Sequence, residues 1–258
     1  MGDGKNITGT VTVYVGSKSY KVAVNNGKGN VTISGLAVGK YNIVAYYEGN
    51  NTYLDSTAQT SFNVNKCNSK IIYSDMVTTA VAKVDGRVGK YFIITLKDTN
   101  GKALANKKVQ IGFNGAIYNR TTDSNGGARL QINLGYEGIY TFAVAYLGDD
   151  IYNGSFVVAK ITVKKHNPKL TAVSKSFKNT TKIKSVSATL KSANGHAIGG
   201  KSLVFIVNGK LYNAKTNSKG VATVNISLNK KGTYTCTVRS TGDSMYAATS
   251  TKFNVKIV

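Results

Sequence analysis

Residues able to carry acid–base, nucleophilic or metal chemistry are scarce in this chain of 258 residues. The sequence has 11 acidic residues, two histidines and two cysteines, against 34 lysines and arginines. His166 is expected in a linker and His196 in an Asn-Gly turn, and neither has a serine or cysteine at a spacing typical of a nucleophile and its base. We therefore expect both histidines at the surface, no catalytic residues and no enzymatic activity.

The acidic residues fall mostly in turns, so paired carboxylates for glycoside cleavage cannot be assigned. Adjacent Asp149 and Asp150 are the weak candidates for a metal site, because Ca²⁺ requires several oxygen ligands. The equivalent positions in two related loops, Asn50-Asn51 and Asp243-Ser244, carry less charge. We expect a turn role for these residues and no cofactor, with a Ca²⁺ site as the alternative.

One block of sequence occurs three times, and it indicates what the scarce polar groups are mounted on. Each copy has a tyrosine after Gly-x, then a glycine followed by Asp or Asn, then a second tyrosine 12 residues after the first. The members are Tyr41, Gly49 and Tyr53; Tyr140, Gly148 and Tyr152; and Tyr234, Gly242 and Tyr246. The first tyrosines are 99 and 94 residues apart, which predicts an array of like modules.

A period of this length fits one small all-β sandwich. In each copy a β-favouring run follows the first tyrosine, then a turn and a second run, which predicts strand, short loop, strand. A tyrosine two residues before a buried position, here Ile43, Phe142 and Cys236, is typical of the tyrosine corner of immunoglobulin-like sandwiches. We predict an all-β fold of tandem immunoglobulin-like β-sandwiches, in which the nine block residues have structural roles.

Two further segments repeat. Thr-Asp-Ser-Asn-Gly-Gly-Ala at 122–128 pairs with Thr-Asn-Ser-Lys-Gly-Val-Ala at 216–222, and these Asx and glycine residues predict hairpin turns. Asn-Gly turns at 100–104 and 194–198 each lead into a predicted strand, at 109–113 and 203–207.

Together these motifs resemble bacterial immunoglobulin-like domains of the invasin and intimin type. The closing Gly-(Asp/Asn)-x-x-Tyr block, in a chain rich in Lys, Asn and Tyr, is most similar to repeats in adhesin-like surface proteins of methanogenic archaea. Such modules often carry proline where Ala103 and Ala197 stand. The resemblance, which covers about the whole chain, implies an extracellular or cell-surface stalk whose modules act as spacers and adhesion modules. Implied partners are anionic cell-wall or host glycans, surface proteins, and neighbouring modules of a longer parent protein.

The period places module boundaries at 1–66, 67–165 and 166–258, which we call the first, middle and last segments. Aligned on the strand at Val11, the first segment lacks the stretch that matches 71–96, and residues 1–4 fall where the turn at 98–101 would be. We therefore expect an incomplete first module without its first two strands, in a piece of a longer protein. Pro168 falls at the second junction, where a stiff linker is expected.

Charge is distributed unevenly over the three segments. The first holds 6 basic and 3 acidic residues, the middle 13 and 7, and the last 15 and 1, giving +3, +6 and +14 of the total +23. The last segment, whose only acid is Asp243, should attract polyanions. The alternative function is therefore a polysaccharide- or cell-wall-binding array that uses this segment. Nucleic acid is disfavoured, because the charges are scattered lysines without a recognised nucleic-acid motif.

Membrane spans, cysteines and tyrosines complete the predictions from the sequence. No run of 18 apolar residues predicts a membrane span. Cys236 is expected to be buried and Cys67 accessible, without a disulfide between them. The 16 tyrosines could form carbohydrate-stacking platforms, although at least six belong to the repeated corners and loops.

Overall fold

The computed structural model describes residues 7–258, so the turn expected at residues 1–4 lies outside the described residues. The described chain is built of strands, with one 3₁₀ turn at Lys83–Asp85 and no α-helix. The described residues form two compact units, one of residues 7–70, Lys97–Lys102 and Tyr146–Ser155, and one of Ile71–Leu96, Ala103–Ala145 and Phe156–Val258. Among the described residues, no helix is long and apolar enough to span a membrane.

The first segment contains a single antiparallel sheet. Its strands are β1 (Gly9–Val15), β2 (Lys18–Val24), β3 (Gly39–Tyr47) and β4 (Ser56–Val64), in the order β2-β1-β3-β4. Val11 pairs with Val22 on one side and with Tyr47 on the other, so apolar residues line one face of the sheet. All the strands described within residues 7–66 belong to this one sheet.

The middle segment forms two sheets. Its strands are β5 (Ser69–Tyr73), β6 (Met76–Thr79), β7 (Tyr91–Asp98), β8 (Lys108–Phe113), β9 (Ala116–Thr121), β10 (Gly127–Gln131), β11 (Gly138–Gly148) and β12 (Asn153–Lys164). One sheet has the order β10-β7-β5 and the other β6-β12-β11-β8-β9, with β6 parallel to β12. The chain therefore changes sheet between β5 and β6, as expected of an immunoglobulin-like sandwich.

The last segment repeats that arrangement. Its strands are β13 (Lys169–Ala172), β14 (Lys175–Phe177), β15 (Lys184–Lys191), β16 (Ser202–Val207), β17 (Lys210–Lys215), β18 (Val221–Ile226), β19 (Gly232–Ser240) and β20 (Thr249–Ile257). The sheets are β13-β15-β18 and β14-β20-β19-β16-β17, and β14 is parallel to β20. The same two-sheet arrangement is thus present twice in the described chain.

Alternation of side chains explains why these strands pair as sandwiches. Along β15, Val186, Ala188 and Leu190 are buried while the residues between them are at least partly exposed, which is the two-residue period of a strand with one covered face. They pack with Phe205 and Val238 of the facing sheet in one apolar core. Cys236 is fully buried in that core and Cys67 is exposed; both are free, which confirms their predicted settings.

The turns at 122–128 and 216–222 are not the hairpin turns that we predicted. They join β9 to β10 and β17 to β18, and in each case the two strands belong to different sheets. The Asp123 carboxylate accepts the backbone N–H groups of Asn125 and Gly127, and Asn217 does the same for Lys219 and Val221. The Asx hydrogen bonds are present, but these turns take the chain from one sheet of the sandwich to the other instead of back along the same sheet.

Candidate functional site between the middle and last sandwiches

The first tyrosine of each repeated block makes the same local hydrogen bond. Its hydroxyl donates to the backbone carbonyl four residues upstream in every copy. The bonds run from Tyr41 to Ala37 at 3.0 Å, from Tyr140 to Tyr136 at 3.0 Å and from Tyr234 to Lys230 at 2.8 Å. This is the geometry of a tyrosine corner, in which the side chain ties the start of a strand to the loop before it.

The second half of each block is a tight Asx loop. One side-chain oxygen accepts two backbone N–H groups, the second of which belongs to the closing tyrosine. The acceptors are Asn50 for Thr52 and Tyr53, Asp149 for Ile151 and Tyr152, and Asp243 for Met245 and Tyr246, all at 2.8–2.9 Å. Gly49, Gly148 and Gly242 precede them with φ of 82°, 86° and 75°, the left-handed region that favours glycine.

The loop geometry bears on the Ca²⁺ alternative. Asp149 uses one carboxylate oxygen for these backbone bonds. Burial raises the pKa of the neighbouring Tyr146, and Asp149 raises it further. Asp150 is exposed. Across residues 7–258 there is no group of three or more His, Cys, Asp or Glu side chains arranged to hold a metal ion. The arrangement supports a turn role for the pair.

The surface position predicted for His166 is wrong. Its side chain is 9 % exposed, and its ring lies edge-on against Tyr246 with centroids 5.7 Å apart. Its backbone N–H donates to the Met245 carbonyl at 2.7 Å, and its carbonyl accepts from Ala247 at 2.9 Å. These two backbone hydrogen bonds hold the start of the last segment against the Asx loop of the same sandwich. His166 is therefore buried, although a linker residue was expected to be exposed.

Asp85, from the 3₁₀ turn at the end of the middle sandwich, is the centre of a buried polar cluster. Its side chain is only 7 % exposed. One carboxylate oxygen, Oδ1, accepts the Ser192 hydroxyl at 2.6 Å and lies 2.7 Å from His196 Nδ1. The other, Oδ2, has no hydrogen-bond partner among the described residues and lies 3.7 Å from His166 Nε2.

Burial alone would raise the pKa of Asp85. The hydrogen bonds from Ser192 and His196 outweigh it and hold the pKa below its ordinary value. The carboxylate is therefore ionised at neutral pH. Because Asp85 belongs to the middle segment and its partners to the last, this charge connects the two sandwiches.

Ser192, His196 and Asp85 are the residue types of a hydrolytic triad, but their arrangement is different. The Ser192 hydroxyl donates to the carboxylate instead of to an imidazole nitrogen, and it accepts the backbone N–H of His196 at 3.2 Å. The serine is 1 % exposed, so a substrate cannot reach it. His166 Nε2 accepts the N–H of Ala193 at 3.0 Å and is not placed to serve as its base. The cluster is suited to holding the sandwiches together.

Further contacts support the same junction. The Glu137 backbone N–H donates to the Ser244 carbonyl at 2.9 Å, and the Glu137 carboxylate lies 3.4 Å from Lys165 Nζ. Ala82 of the middle segment is 1 % exposed and belongs to the apolar core of the last sandwich. Met245 lies close to Gly135, since a Cβ at that glycine would be 3.4 Å from Met245 Cε. Backbone, apolar and charged contacts thus converge at one boundary.

Asp243 contributes indirectly. Burial by itself would raise its pKa, but hydrogen bonds from Lys201 and from the backbone of Tyr246 and Met245 lower it. The Lys201 Nζ lies 2.5 Å from a carboxylate oxygen and 5.1 Å from the centroid of the Tyr246 ring. The one acid of the last segment is therefore neutralised within its own loop, and that loop supports His166.

Sequence reasoning missed Asp85 and Ser192, since neither occurs in a recognisable motif. One signal was present: Asp85 lies just before β7 and Ser192 in the turn after β15, at opposite ends of equivalent segments. Stacked modules would bring such ends together.

The chain is an all-β protein of immunoglobulin-like sandwiches. Invasin, a bacterial integrin-binding protein, has a solved structure similar to this chain at 19 % identity and a TM-score of 0.45, over 74 % of this chain and 39 % of that one. A 1.5-MDa bacterial ice-binding adhesin matches at 15 % identity and a TM-score of 0.35, over 98 % of this chain and 88 % of that one. Drosophila N-cadherin EC1-3 matches at 13 % and 0.30, over 98 % and 91 %.

No family model and no curated protein matches the sequence. The structural likenesses concern the fold alone.

Proposed function

We propose that the chain is a non-catalytic, adhesin-like stalk of the cell surface, built from modules at 1–66, 67–165 and 166–258 that act as spacers and adhesion modules. The observation that carries the proposal is the polar junction around Asp85. A buried carboxylate bonded across the boundary, beside shared apolar contacts, favours one orientation of the two sandwiches. A stalk needs such stiffness, because a freely hinged chain would not project its end.

Distance measurements between two spin labels test this proposal. Cysteines introduced at exposed Lys160 and Lys252 place one label on each sandwich, in a Cys67→Ser background with Cys236 left buried. We expect one narrow distance distribution. Asp85→Ala should broaden it, because the bonds to Ser192 and His196 are lost. Asp150→Ala removes an exposed acid and serves as the control. A broad distribution in the parent protein would refute the spacer role.

One observation favours the alternative, a polysaccharide- or cell-wall-binding array based on the last segment. The outer face of its five-stranded sheet has basic residues in register with threonines: Lys252 pairs with Thr237 and Lys256 with Thr233. Arg239 lies exposed on the same strand as these threonines. With Asp243, the one acid of the last segment, paired to Lys201, these basic residues lie in a segment without an unpaired carboxylate side chain.

Salt-dependent retention on heparin and on teichoic-acid-containing cell wall tests the alternative. A triple variant, Lys252→Gln, Lys256→Gln and Arg239→Gln, should elute at much lower salt than a control with Lys169, Lys219 and Lys230 changed to Gln. The two variants have the same net charge, so a difference locates the binding face. Equal elution would mean that the positive charge acts only as a diffuse field.

A further inference from the structure

The outer face of the three-stranded sheet differs sharply between the two complete sandwiches. In the middle sandwich, Tyr91 pairs with Gln131 and Ile93 with Arg129. The repeat aligns these pairs with Ser185–Asn225 and Ser187–Thr223 of the last sandwich. There the short polar side chains bond one another at 2.7 and 2.8 Å. The fold therefore does not require large side chains on this face.

In the middle sandwich the same face presents Tyr91 and Arg129, and Arg120 of the neighbouring strand β9 lies beside Arg129. The Arg129 guanidinium carbon lies 4.7 Å from the centroid of the Tyr91 ring, which is a cation–π contact. Arg120 donates from Nε to the Arg129 carbonyl at 3.0 Å and from Nη1 to the Asn119 carbonyl at 2.7 Å. Both guanidinium groups are thereby oriented before any ligand arrives. We call Tyr73, Tyr91, Ile93, Arg120 and Arg129 the Tyr–Arg face.

The arginine usage is selective. Of the four arginines in the chain, Arg87, Arg120, Arg129 and Arg239, two lie on this face, in a protein whose other basic residues are lysines. At the positions aligned with Arg120 and Arg129, the last sandwich has Ala214 and Thr223. Arginine differs from lysine chiefly in its planar fork, which can bind a carboxylate through two parallel hydrogen bonds.

Two shallow depressions flank Ile93. One, of about 510 Å³, is lined by Tyr73, Tyr91 and Lys90, and the other, of about 490 Å³, by Arg120 and Arg129. The side chains of Tyr91 and Ile93 are 47 % and 59 % exposed. Neighbouring exposed apolar side chains of this kind are typical of a binding surface. The depressions give room for a ligand longer than one small ring.

The acids in these depressions are engaged with the backbone. Asp75 lines the first and accepts the Lys160 N–H at 2.9 Å, and Asp123 lines the second and accepts those of Asn125 and Gly127. Arg120, by contrast, donates to only two carbonyl groups, and a guanidinium has more N–H donors than these two bonds use. The chemistry facing solvent is therefore an aromatic ring and an isoleucine beside two oriented cations.

We propose that the Tyr–Arg face is a binding site for acidic oligosaccharides with uronic-acid residues. The carboxylate of one sugar would pair with Arg129 and Arg120, and the C–H face of a pyranose ring would pack on Tyr91 and Ile93. The inference deepens the adhesin-like function by naming a ligand class and a site outside the strongly basic last segment. A diffuse positive field would bind any polyanion, whereas this face selects a carboxylate attached to an apolar ring face.

Titration of the intact, ¹⁵N-labelled protein with oligogalacturonate tests the site, with the methyl ester of the same oligomer as the neutral probe. We expect shifts of the amides of Ile93, Gln131 and their neighbours with the acid, and affinity at least about tenfold weaker for the ester. Arg129→Gln and Tyr91→Ala should each weaken binding about tenfold. Arg129→Lys should recover only part of it, because the planar fork is lost.

Matched controls separate the outcomes. Lys219→Gln removes one positive charge, as Arg129→Gln does, but on a turn of the last sandwich. It should leave the affinity for oligogalacturonate within about twofold of that of the parent protein. The face variants lie on a solvent-exposed surface, and unchanged amide spectra elsewhere will show that they remain folded. Equal affinity for acid and ester, or loss of binding only in the triple variant of the last segment, would overturn the proposal.

Amide shifts on this face with polyglutamate but not with the saccharide would also overturn it, in favour of an acidic protein partner. The spin-label distances are independent of ligand. A narrow distribution together with no saccharide binding would therefore reject this site and leave the spacer role standing.

Discussion

The first sheet and the five-stranded sheet of the last sandwich share their four main strands but differ in burial. The order β2-β1-β3-β4 corresponds to β17-β16-β19-β20, with the same tyrosine corner and Asx loop. In residues 7–66 the buried apolar residues are Val15 and Val22. In the last sandwich the equivalent face belongs to a continuous core covered by β13, β15 and β18. Corners and loops therefore form locally, whereas burial depends on the second sheet.

Core truncation should produce the largest difference between the two regions. Leu203, which is fully buried, aligns with half-buried Val11, since each lies four residues before the last pair of its hairpin, Val15–Lys18 or Val207–Lys210. Leu203→Ala should cost about 2–5 kcal/mol of unfolding free energy in the last sandwich, and Val11→Ala about 1 kcal/mol or less in the first sheet. Amide hydrogen exchange resolved by segment measures both.

The exposed Thr233→Ala serves as the control for the truncations and should have little effect. Equal losses for Leu203→Ala and Val11→Ala would show that the first sheet is covered in solution and would remove the contrast.

Loop glycines should affect both regions similarly, because their geometry is local. A Cβ at Gly242 would lie 2.5 Å from the Tyr246 carbonyl oxygen, and one at Gly49 would lie 2.9 Å from that of Tyr53. Gly242→Ala and Gly49→Ala should each cost about 1–3 kcal/mol from strain and the forced shift of backbone.

Gly209 is a matched control for these loops. Its φ of 76° is close to the 75° of Gly242, but a Cβ there would meet nothing within 4 Å. Gly209→Ala therefore reports the dihedral strain alone, and its loss in thermal unfolding should be smaller. If Gly209→Ala is as costly as Gly242→Ala, the carbonyl contact has no role.

Acid should loosen the sandwich junction and leave the first sheet unaffected. The folded-state pKa of Asp85 is lowered, so its ionised form stabilises the junction above the ordinary aspartate pKa of about 3.9, and this contribution is lost as the pH falls through the lower folded value. The spin-label distance should therefore stay narrow from pH 7 to about 5 and broaden below about 4.

Asp85→Asn should remove that acid transition and broaden the distance at neutral pH, because it weakens the contacts with Ser192 and His196. Asp123→Asn, in an exposed turn, is the control. Broadening that begins near pH 6 instead would assign the transition to the histidines.

Sequence analysis predicted what is local and repeated, and failed where distant segments meet. Tyr41, Gly49 and their counterparts could be placed because a corner and an Asx loop are determined by adjacent residues. The inter-sheet turns were mistaken for hairpins, since Asp123 and Asn217 have the same local chemistry in either topology. Asp85 and the burial of His166 could not be inferred, because their partners lie 27 or more residues away in sequence.

Removal of a corner hydroxyl should have the smallest effect and the most equal one. The hydrogen bonds of Tyr41 and Tyr234 are both solvent-exposed and link residues four apart. Tyr41→Phe and Tyr234→Phe should each cost about 0.5–1.5 kcal/mol, because only one neutral hydrogen bond is lost. Amide exchange of the strands that begin at Gly39 and Gly232 measures the losses, with Tyr118→Phe as an exposed control. If Tyr234→Phe lowers stability but Tyr41→Phe does not, the corner hydrogen bond depends on the second sheet. The distinction between local and non-local stabilisation would then be wrong.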